Sequence, residues 1–168
     1  MKPLVSIIMG SVSDYEVMEK AANLLDTNDI PFEINALSAH RTADKVMQFA
    51  QNAEKRGIKV IIAGAGMAAA LPGVIAAETT LPVIGVPIKG TFDGLDSMLS
   101  MIQMPPGIPV ATVAVNGSLN AAILAMEILS LTDETIKEKM KTYKSSLKDK
   151  IIKANEELKT KQFKNRVQ

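Results

Sequence analysis

Five short apolar runs, each followed by a segment of different character, constrain this chain more than any other feature of its sequence. The runs are predicted to be strands at residues 4–9, 32–37, 58–63, 81–86 and 110–115. The run at residues 4–9 is continuous and has β-branched members, which is typical of a strand buried on both faces. Strands that alternate with helices form a mostly parallel sheet with helices on both of its faces. The pattern therefore predicts an α/β fold with five strands.

The composition fits one globular domain with a C-terminal extension. Hydrophobic residues make up 47% and charged residues 22% of the 168 residues, which is enough to bury a core. The alternating pattern fills residues 1–131, which we predict to be the α/β domain. Residues 132–168 are predicted to be a helical extension of the same domain that makes oligomer contacts.

The extension differs from the rest of the chain in charge and periodicity. Residues 137–168 contain eleven Lys and Arg and four Asp and Glu, whereas residues 1–136 are net acidic. Apolar residues recur at spacings of four and three, as in a coiled-coil seam. This seam comprises Ile136, Met140, Tyr143, Leu147, Ile151, Ala154 and Leu158. We expect the long helix to pack on a neighbouring subunit, the alternative being a solvated helix folded back on its own domain. Residues 160–168 are expected to fray.

The absence of cysteine, the single histidine and the near-neutral charge exclude several functions. Disulfides, thiol nucleophiles and cysteine-ligated zinc are impossible, and no carboxylate spacing suggests a metal site. A net charge of +1 gives no global attraction to nucleic acid or anionic lipid. The first apolar run is too short for a secretory signal, and the uncharged stretch 60–77 is better explained as a buried strand and glycine turn than as a membrane span. We expect a cytoplasmic protein without metal, membrane or nucleic-acid partners.

The only histidine lies at the second strand-to-helix junction. Open α/β sheets bind their ligands at this edge. His40 is flanked by Ser38, Arg41 and Thr42, whose donors suit an anion. Thr42 is a plausible N-cap of a helix predicted over 43–56, which Gly57 is predicted to end. Histidine is the residue type that changes charge near neutral pH. We interpret His40 as functional, rather than as a surface or packed histidine.

Two further junctions are built from small and polar residues. Residues 10–14 read Gly-Ser-Val-Ser-Asp, and Ser13 and Glu16 fit a capping box whose helix N-terminus suits phosphate or ribose. Residues 64–67 read Gly-Ala-Gly-Met and allow a ligand to approach the backbone closely. The structural alternatives are a simple helix cap in the first and tight strand–helix packing in the second. The polar loop 89–96 is a candidate lid.

These junction sequences are specific when taken together. Three blocks follow successive strands: Met-Gly-Ser-Val-Ser-Asp (9–14), Ser-Ala-His-Arg-Thr (38–42) and Ala-Gly-Ala-Gly-Met-Ala-Ala-Ala-Leu-Pro-Gly (63–73). They resemble the family of N5-carboxyaminoimidazole ribonucleotide mutases, the PurE proteins of purine biosynthesis. Further matching blocks stand at 81–87, 94–97 and 103–112, so that the resemblance covers about residues 4–130.

The resemblance implies a flavodoxin-like three-layer αβα sandwich, a homo-octamer, and no metal or organic cofactor. The implied reaction moves a carboxyl group from the exocyclic N5 to ring carbon C4 of an aminoimidazole ribonucleotide. Matching positions imply that serines and Asp14 bind phosphate and ribose, and that backbone near Gly66 lines the base and carboxylate pocket. The implied substrate-binding residues are Gly10, Ser11, Ser13, Asp14, Ser38, Ala39, Arg41, Ala65, Gly66, Met67 and Leu71.

The resemblance further implies that His40 is the general acid and base. The reaction needs a proton for N5 as the carbamate breaks, and loss of a proton from C4 after C4 attacks carbon dioxide. One imidazole can do both in sequence and finish as it began. The carbon dioxide needs a small, dry pocket, which the Ala, Gly and Met residues of 65–71 can provide. Arg41 resembles the mutase branch, because the branch that uses free carbon dioxide typically has lysine there.

The chain departs from the mutase pattern in several places. The pattern's second histidine, before Leu-Pro-Gly, is Ala70, its Gly-Gly is Gly66-Met67, and Ala43 stands where proline is usual. The turn before the last domain helix is also shortened. Because Ala70 removes a polar partner near the carboxylate, a non-catalytic, regulatory ribonucleotide-binding relative is an alternative. A flavodoxin-like FMN carrier is a third hypothesis, which the low aromatic content of 4% disfavours.

Overall fold

The structure, a computed structural model, describes residues 2–167. The strands are β1 (Val5–Met9), β2 (Phe32–Ala36), β3 (Val60–Gly66), β4 (Val83–Ile88) and β5 (Ala111–Thr112). The helices are α1 (Tyr15–Thr27), α2 (Ala43–Arg56), α3 (Leu71–Glu78), α4 (Leu95–Ile102), α5 (Ser118–Leu129) and α6 (Glu134–Lys159), and a 3-10 turn (Val12–Asp14) precedes α1. Every predicted strand and helix is present, with shifts at the ends.

The five strands form one parallel sheet in the order β2-β1-β3-β4-β5. Two separate apolar cores lie on its two faces, because successive side chains of a strand point to opposite sides. Ile7 of β1 packs with α1, α5 and the start of α6, whereas its neighbour Ile8 packs with α2, α3 and Met101 of α4. The predicted α/β fold, a flavodoxin-like three-layer sandwich, is confirmed, with an entirely parallel sheet.

Helix α2, which follows the junction that holds His40, has the predicted bounds. It ends at Gly57, whose φ of 103° is the left-handed conformation that favours glycine at this position. Thr42 precedes the helix as predicted, but its hydroxyl does not cap it. The Thr42 hydroxyl instead donates to the carbonyl of Ser38 and accepts from the Ser38 N–H, both at 3.0 Å. These two hydrogen bonds close the turn at residues 38–42 before helix α2 begins.

The predicted turn at residues 64–67 is wrong, since β3 continues through Gly66. Residues Gly64 to Gly66 are paired on the β4 side, and Gly64 also pairs with Met9 of β1. Glycine is required within this strand by packing rather than by a turn. A Cβ at Gly64 would lie 2.5 Å from Sδ of Met18, which fills the space above it. The actual turn comprises residues 67–70.

Two other details of the predictions are wrong. The capping box of Ser13 and Glu16 does not form, because a 3-10 turn comes first and Ser11 caps it, with its hydroxyl accepting from the Ser13 N–H at 3.3 Å. Strand β5 has two residues, not the predicted six. It lies at the edge of the sheet and begins two positions after Pro109, which has no N–H to donate to a ladder.

Helix α6 packs on its own domain only over its first turns. Ile136 and Met140 are buried against α5, and Nζ of Lys139 lies 3.1 Å from a carboxylate oxygen of Asp29. Farther along the seam, Leu147 is 42% and Ile151 72% exposed. The helix ends at Lys159. Over residues 2–167, no helix has the length and apolarity that crossing a membrane requires.

Candidate active site

The carboxyl ends of β1, β2, β3 and β4 open into one cleft of about 520 Å³. Parallel strands place all these ends at one edge of the sheet, and the strand order puts the junctions after β2, β1 and β3 side by side. All twelve residues predicted from the sequence line this cleft: Gly10, Ser11, Ser13, Asp14, Ser38, Ala39, His40, Arg41, Ala65, Gly66, Met67 and Leu71. The predicted residues therefore meet in space, although they are spread over more than sixty positions.

A second groove is larger, at about 1020 Å³, but it has a different chemical character. It lies by the amino ends of β4 and β5, and its charged residues are Glu54 and Glu78. No histidine or basic residue lines it. These two carboxylates would repel an anionic ligand, and the groove has no imidazole to move a proton near neutral pH. The cleft that contains His40 is therefore the candidate active site.

The junction after β1 forms a compact polar turn. The Ser13 hydroxyl donates to the Ser11 hydroxyl at 2.8 Å and lies 3.4 Å from a carboxylate oxygen of Asp14. Asp14 is half-buried, and burial raises the pKa of its carboxyl, while hydrogen bonds from the Ser11 backbone and the Ser13 hydroxyl oppose that change. The turn thus presents two hydroxyls and one partly desolvated carboxylate to the cleft.

The junction after β2 holds His40 and Arg41 on a turn fixed at both ends by Ser38 and Thr42. Besides the two hydroxyl bonds of Thr42, the Arg41 N–H and Nε–H donate to the Ser38 hydroxyl at 3.3 and 3.4 Å. Both functional side chains are exposed on the cleft surface. The hydrogen bonds found within residues 2–167 leave the His40 imidazole unpaired, so that it is available to a ligand.

The junction after β3 is small and apolar, and its backbone is strained. Met67 and Ala69 have φ angles of 57° and 42°, a region that residues with a Cβ rarely occupy. Such strain persists where surrounding structure imposes it, and it is concentrated at functional sites. Met67 is 68% exposed, and Ala68, Ala69 and Ala70 complete this wall. The wall offers close backbone approach and no polar side chain.

The junction after β4 contributes residues that the sequence interpretation missed. Ile88, Lys89 and Gly90 also line the cleft. Nζ of Lys89 lies 2.8 Å from Oδ1 of Asp93, and this partner raises the pKa of Lys89 and lowers that of Asp93. The prediction ended β4 two residues early, and loop 89–96 was considered only as a lid. A strand ending at Ile88 would have placed Lys89 at the cleft edge.

Known proteins share this sequence and this fold. The family model described as AIR carboxylase matches residues 4–150. The chain belongs to the AIR carboxylase family. The family match thus extends past the α/β domain into α6, and it confirms the resemblance inferred from the junction blocks.

Individual relatives within the AIR carboxylase family carry more specific names. An N5-carboxyaminoimidazole ribonucleotide mutase of Pyrococcus abyssi is 57% identical over 147 residues, which cover 87% of this chain and 84% of that protein. The Bacillus subtilis protein of the same name is 49% identical, over 94% of this chain and 99% of its own length. The crystal structure of Treponema denticola PurE superposes with a TM-score of 0.84 at 38% identity, covering 94% and 99% of the two chains.

The residues within 2–167 that could act as metal ligands form no cluster of three or more His, Asp or Glu side chains. The cleft itself contains one carboxylate, Asp14, and one imidazole, His40. In this member of the AIR carboxylase family, the chemical groups available in the cleft are therefore one imidazole, one carboxylate, two cations, hydroxyls and backbone N–H groups.

Proposed function

We propose that this chain is an N5-carboxyaminoimidazole ribonucleotide mutase, an isomerase of purine biosynthesis. It would convert N5-carboxyaminoimidazole ribonucleotide into 4-carboxy-5-aminoimidazole ribonucleotide. Relatives with this name match most of the chain at 49 to 57% identity. The observation that carries the proposal is the position of His40, which shares one cleft with the turns that follow β1 and β3.

The polar turns would hold the nucleotide by its phosphate and ribose. Ser11, Ser13 and Asp14 offer hydroxyls and a carboxylate, and Ser38 and Arg41 offer donors on the adjacent junction. A guanidinium can bind a phosphate through two parallel hydrogen bonds, which fixes orientation as well as position. Binding at this wall would direct the aminoimidazole ring toward β3.

His40 would supply the proton transfers. As the bond between N5 and the carboxyl carbon breaks, the protonated imidazole gives its proton to N5, and carbon dioxide is released inside the cleft. C4 then attacks the carbon dioxide, and the neutral imidazole removes the C4 proton. The bond to N5 is replaced by a bond to C4, and His40 ends in its starting state. No outside reactant is consumed.

The small residues of 65–71 would keep the carbon dioxide within reach of C4. A water-filled pocket would let it escape or hydrate, which would end the transfer. Backbone around Gly66 and Met67 would line the ring and the carboxylate, and Leu71 would close the pocket at the start of α3. The non-catalytic alternative based on Ala70 is not favoured, because the relatives named above are mutases.

A direct assay tests the proposal. Purified protein is mixed with N5-carboxyaminoimidazole ribonucleotide in buffer without ATP or added bicarbonate, and the carboxylated isomers are followed by NMR. The proposal predicts formation of the C4-carboxylated isomer faster than in buffer alone. Binding of the nucleotide without any acceleration would instead support the regulatory alternative.

We also propose a cytoplasmic homo-octamer in which residues 1–131 form the catalytic domain and residues 132–168 contribute contacts between subunits. The exposed part of the α6 seam supports this, because an apolar stripe on a basic helix is costly to leave in water. Truncation after Leu131 should give smaller particles by light scattering. Ile151→Ser, which leaves the buried Ile136 and Met140 in place, should also weaken assembly. If both variants keep the particle mass of the wild type, α6 does not contribute to the interface.

A further inference from the structure

The two ends of the cleft each carry one basic side chain. Arg41 follows β2 and Lys89 follows β4. Between these strands lie β1 and β3, so three inter-strand steps of about 4.8 Å separate the two junctions. The cations therefore stand on opposite sides of the cleft, about 14 Å apart at the level of the sheet, with His40 on the Arg41 side.

The side of the cleft near Lys89 otherwise lacks polar side chains. In the parallel ladder, Gly66 pairs with Ile88, so that Met67 and Lys89 leave the sheet side by side. The lining from Ala65 to Leu71 is entirely apolar. An anion held against this wall would find backbone N–H groups and, at the adjacent junction, the basic side chain of Lys89, whereas Arg41 follows β2, two strands away from β3.

Lys89 is anchored through its backbone, whereas its side chain is free to be redirected. Its N–H donates to Oδ1 of Asn116 at 2.9 Å, and the Asn116 N–H donates to the carbonyl of Pro87 at 2.8 Å. Its ammonium pairs with Asp93, but the side chains of the pair are 59% and 84% exposed. Exposed ion pairs of this kind contribute little to stability, so a ligand anion can compete for the ammonium.

We propose that Lys89 binds the carboxylate of the substrate, at the opposite end of the cleft from the phosphate. This inference rests on the proposed function, whose substrate has two separated anionic groups, a phosphate and a carboxylate. Arg41 and Lys89 give each end of the cleft one basic side chain for these two anionic groups. Lys89 thereby supplies the polar partner that the alanine wall, including Ala70, does not. In the unliganded protein Asp93 holds the ammonium at the cleft edge.

The test compares two nucleotides that differ only in the carboxylate. Binding of 4-carboxy-5-aminoimidazole ribonucleotide and of 5-aminoimidazole ribonucleotide is measured by calorimetry for wild type, Lys89→Gln, Lys89→Arg and Lys20→Gln. Lys20 is an exposed lysine of α1 that does not line the cleft. Loss of one charge-assisted hydrogen bond predicts about a tenfold weaker affinity of Lys89→Gln for the carboxylated nucleotide. Its affinity for the nucleotide without the carboxyl group stays within about twofold.

The remaining outcomes separate this inference from the proposed function. Lys89→Arg should retain most of the affinity, and Lys20→Gln all of it. Asp93→Asn should bind the carboxylated nucleotide at least as tightly as wild type, since the competing carboxylate is gone. Equal losses for both nucleotides, or no loss for either, in Lys89→Gln would overturn the role of Lys89 while leaving the mutase proposal standing. Wild-type protein that binds neither nucleotide would overturn both.

Discussion

The two walls of the cleft are built by the same sheet but have opposite chemistry. The junctions after β1 and β2 carry hydroxyls, a carboxylate, His40 and Arg41 on hydrogen-bonded turns. The junction after β3 carries alanines and Met67 on a strained backbone. The polar wall can orient a charged nucleotide, and the apolar wall can exclude water from the atoms that react. A carboxyl transfer through carbon dioxide requires both.

The two walls of the cleft are also held in place by different interactions. The polar wall is fixed by local bonds, such as the paired contacts between Ser38 and Thr42. The apolar wall is fixed by packing, since β3 is buried between β1 and β4 and Met18 fills the space above Gly64. Changes on the polar wall should therefore alter binding and rate, whereas changes beneath the apolar wall should alter stability first.

The largest effect is expected on the polar wall. His40→Asn removes the only acid–base imidazole and should lower carboxyl transfer by about a thousandfold. Binding of the nucleotide should stay nearly intact, because phosphate and ribose contacts come from other residues. Parallel calorimetry and rate measurements check this. An equal loss of binding would show that His40 is a ligand contact or a structural residue.

Arg41→Ala should act mainly on binding. Losing charge-assisted hydrogen bonds to the phosphate predicts a KM about 10- to 100-fold higher, with a smaller change in kcat. Arg41→Lys keeps the charge but not the paired geometry, so its KM should lie between those of wild type and Arg41→Ala. Steady-state kinetics of wild type, Arg41→Ala and Arg41→Lys measures these KM and kcat values. A fall in kcat alone would contradict the phosphate assignment.

Two glycine substitutions, two residues apart in β3, should separate an effect on activity from an effect on stability. A Cβ at Gly66 meets its nearest neighbour, the carbonyl oxygen of Ile88, at an ordinary 3.4 Å, so Gly66→Ala should fold normally. Its added methyl lies at the cleft and should lower kcat/KM severalfold. Gly64→Ala forces Met18 to move and should destabilise the fold by about 1–3 kcal/mol. Thermal melts measure the stability of both variants, and kinetics measures their kcat/KM. Full activity of Gly66→Ala would show that Gly66 does not line the substrate pocket.

The smallest effect concerns the charge of Asp14. Burial raises the pKa of this carboxyl above its ordinary value of 3.8, so the folded state binds its proton more readily than the unfolded state does. The free energy of unfolding therefore falls as the pH rises from the pKa of Asp14 in the unfolded state to its higher pKa in the folded state. At neutral pH the ionised carboxylate is destabilising. Asp14→Asn should raise Tm slightly near pH 7, and this gain should disappear below about pH 3.8. Asp149→Asn, at an exposed position, serves as the control. A Tm of Asp14→Asn below that of wild type at pH 7 would show that the ionised Asp14 carboxylate stabilises the fold.

Much of this arrangement follows from local sequence. Helix α2 and its end at Gly57 were predicted to the residue, because a capping position, an apolar face and a glycine agree there. His40, with Ser38 and Arg41, was predicted to be functional because it follows an apolar strand at the edge where ligands bind in open α/β sheets. The other site residues were predicted from the resemblance of the junction blocks to the PurE family. Their roles remain proposals.

What the sequence did not reveal depends on packing and on distant partners. The extension of β3 through Gly66 comes from its ladder with β4 and from Met18 on α1. The position of Lys89 depends on where β4 ends and on the hydrogen bond that its N–H donates to Oδ1 of Asn116, 27 positions away. The packing of α6 beyond Met140 is not set by its own domain, since Leu147 and Ile151 stay exposed there.

In the proposed reaction, one carboxyl group moves within the cleft from N5 to C4. This can be followed with N5-carboxyaminoimidazole ribonucleotide that has carbon-13 in its carboxyl group, in the presence of excess unlabelled bicarbonate. Transfer within the cleft predicts that the C4-carboxylated product keeps most of the label. A product that carries unlabelled carboxyl, or no product at all, would contradict it.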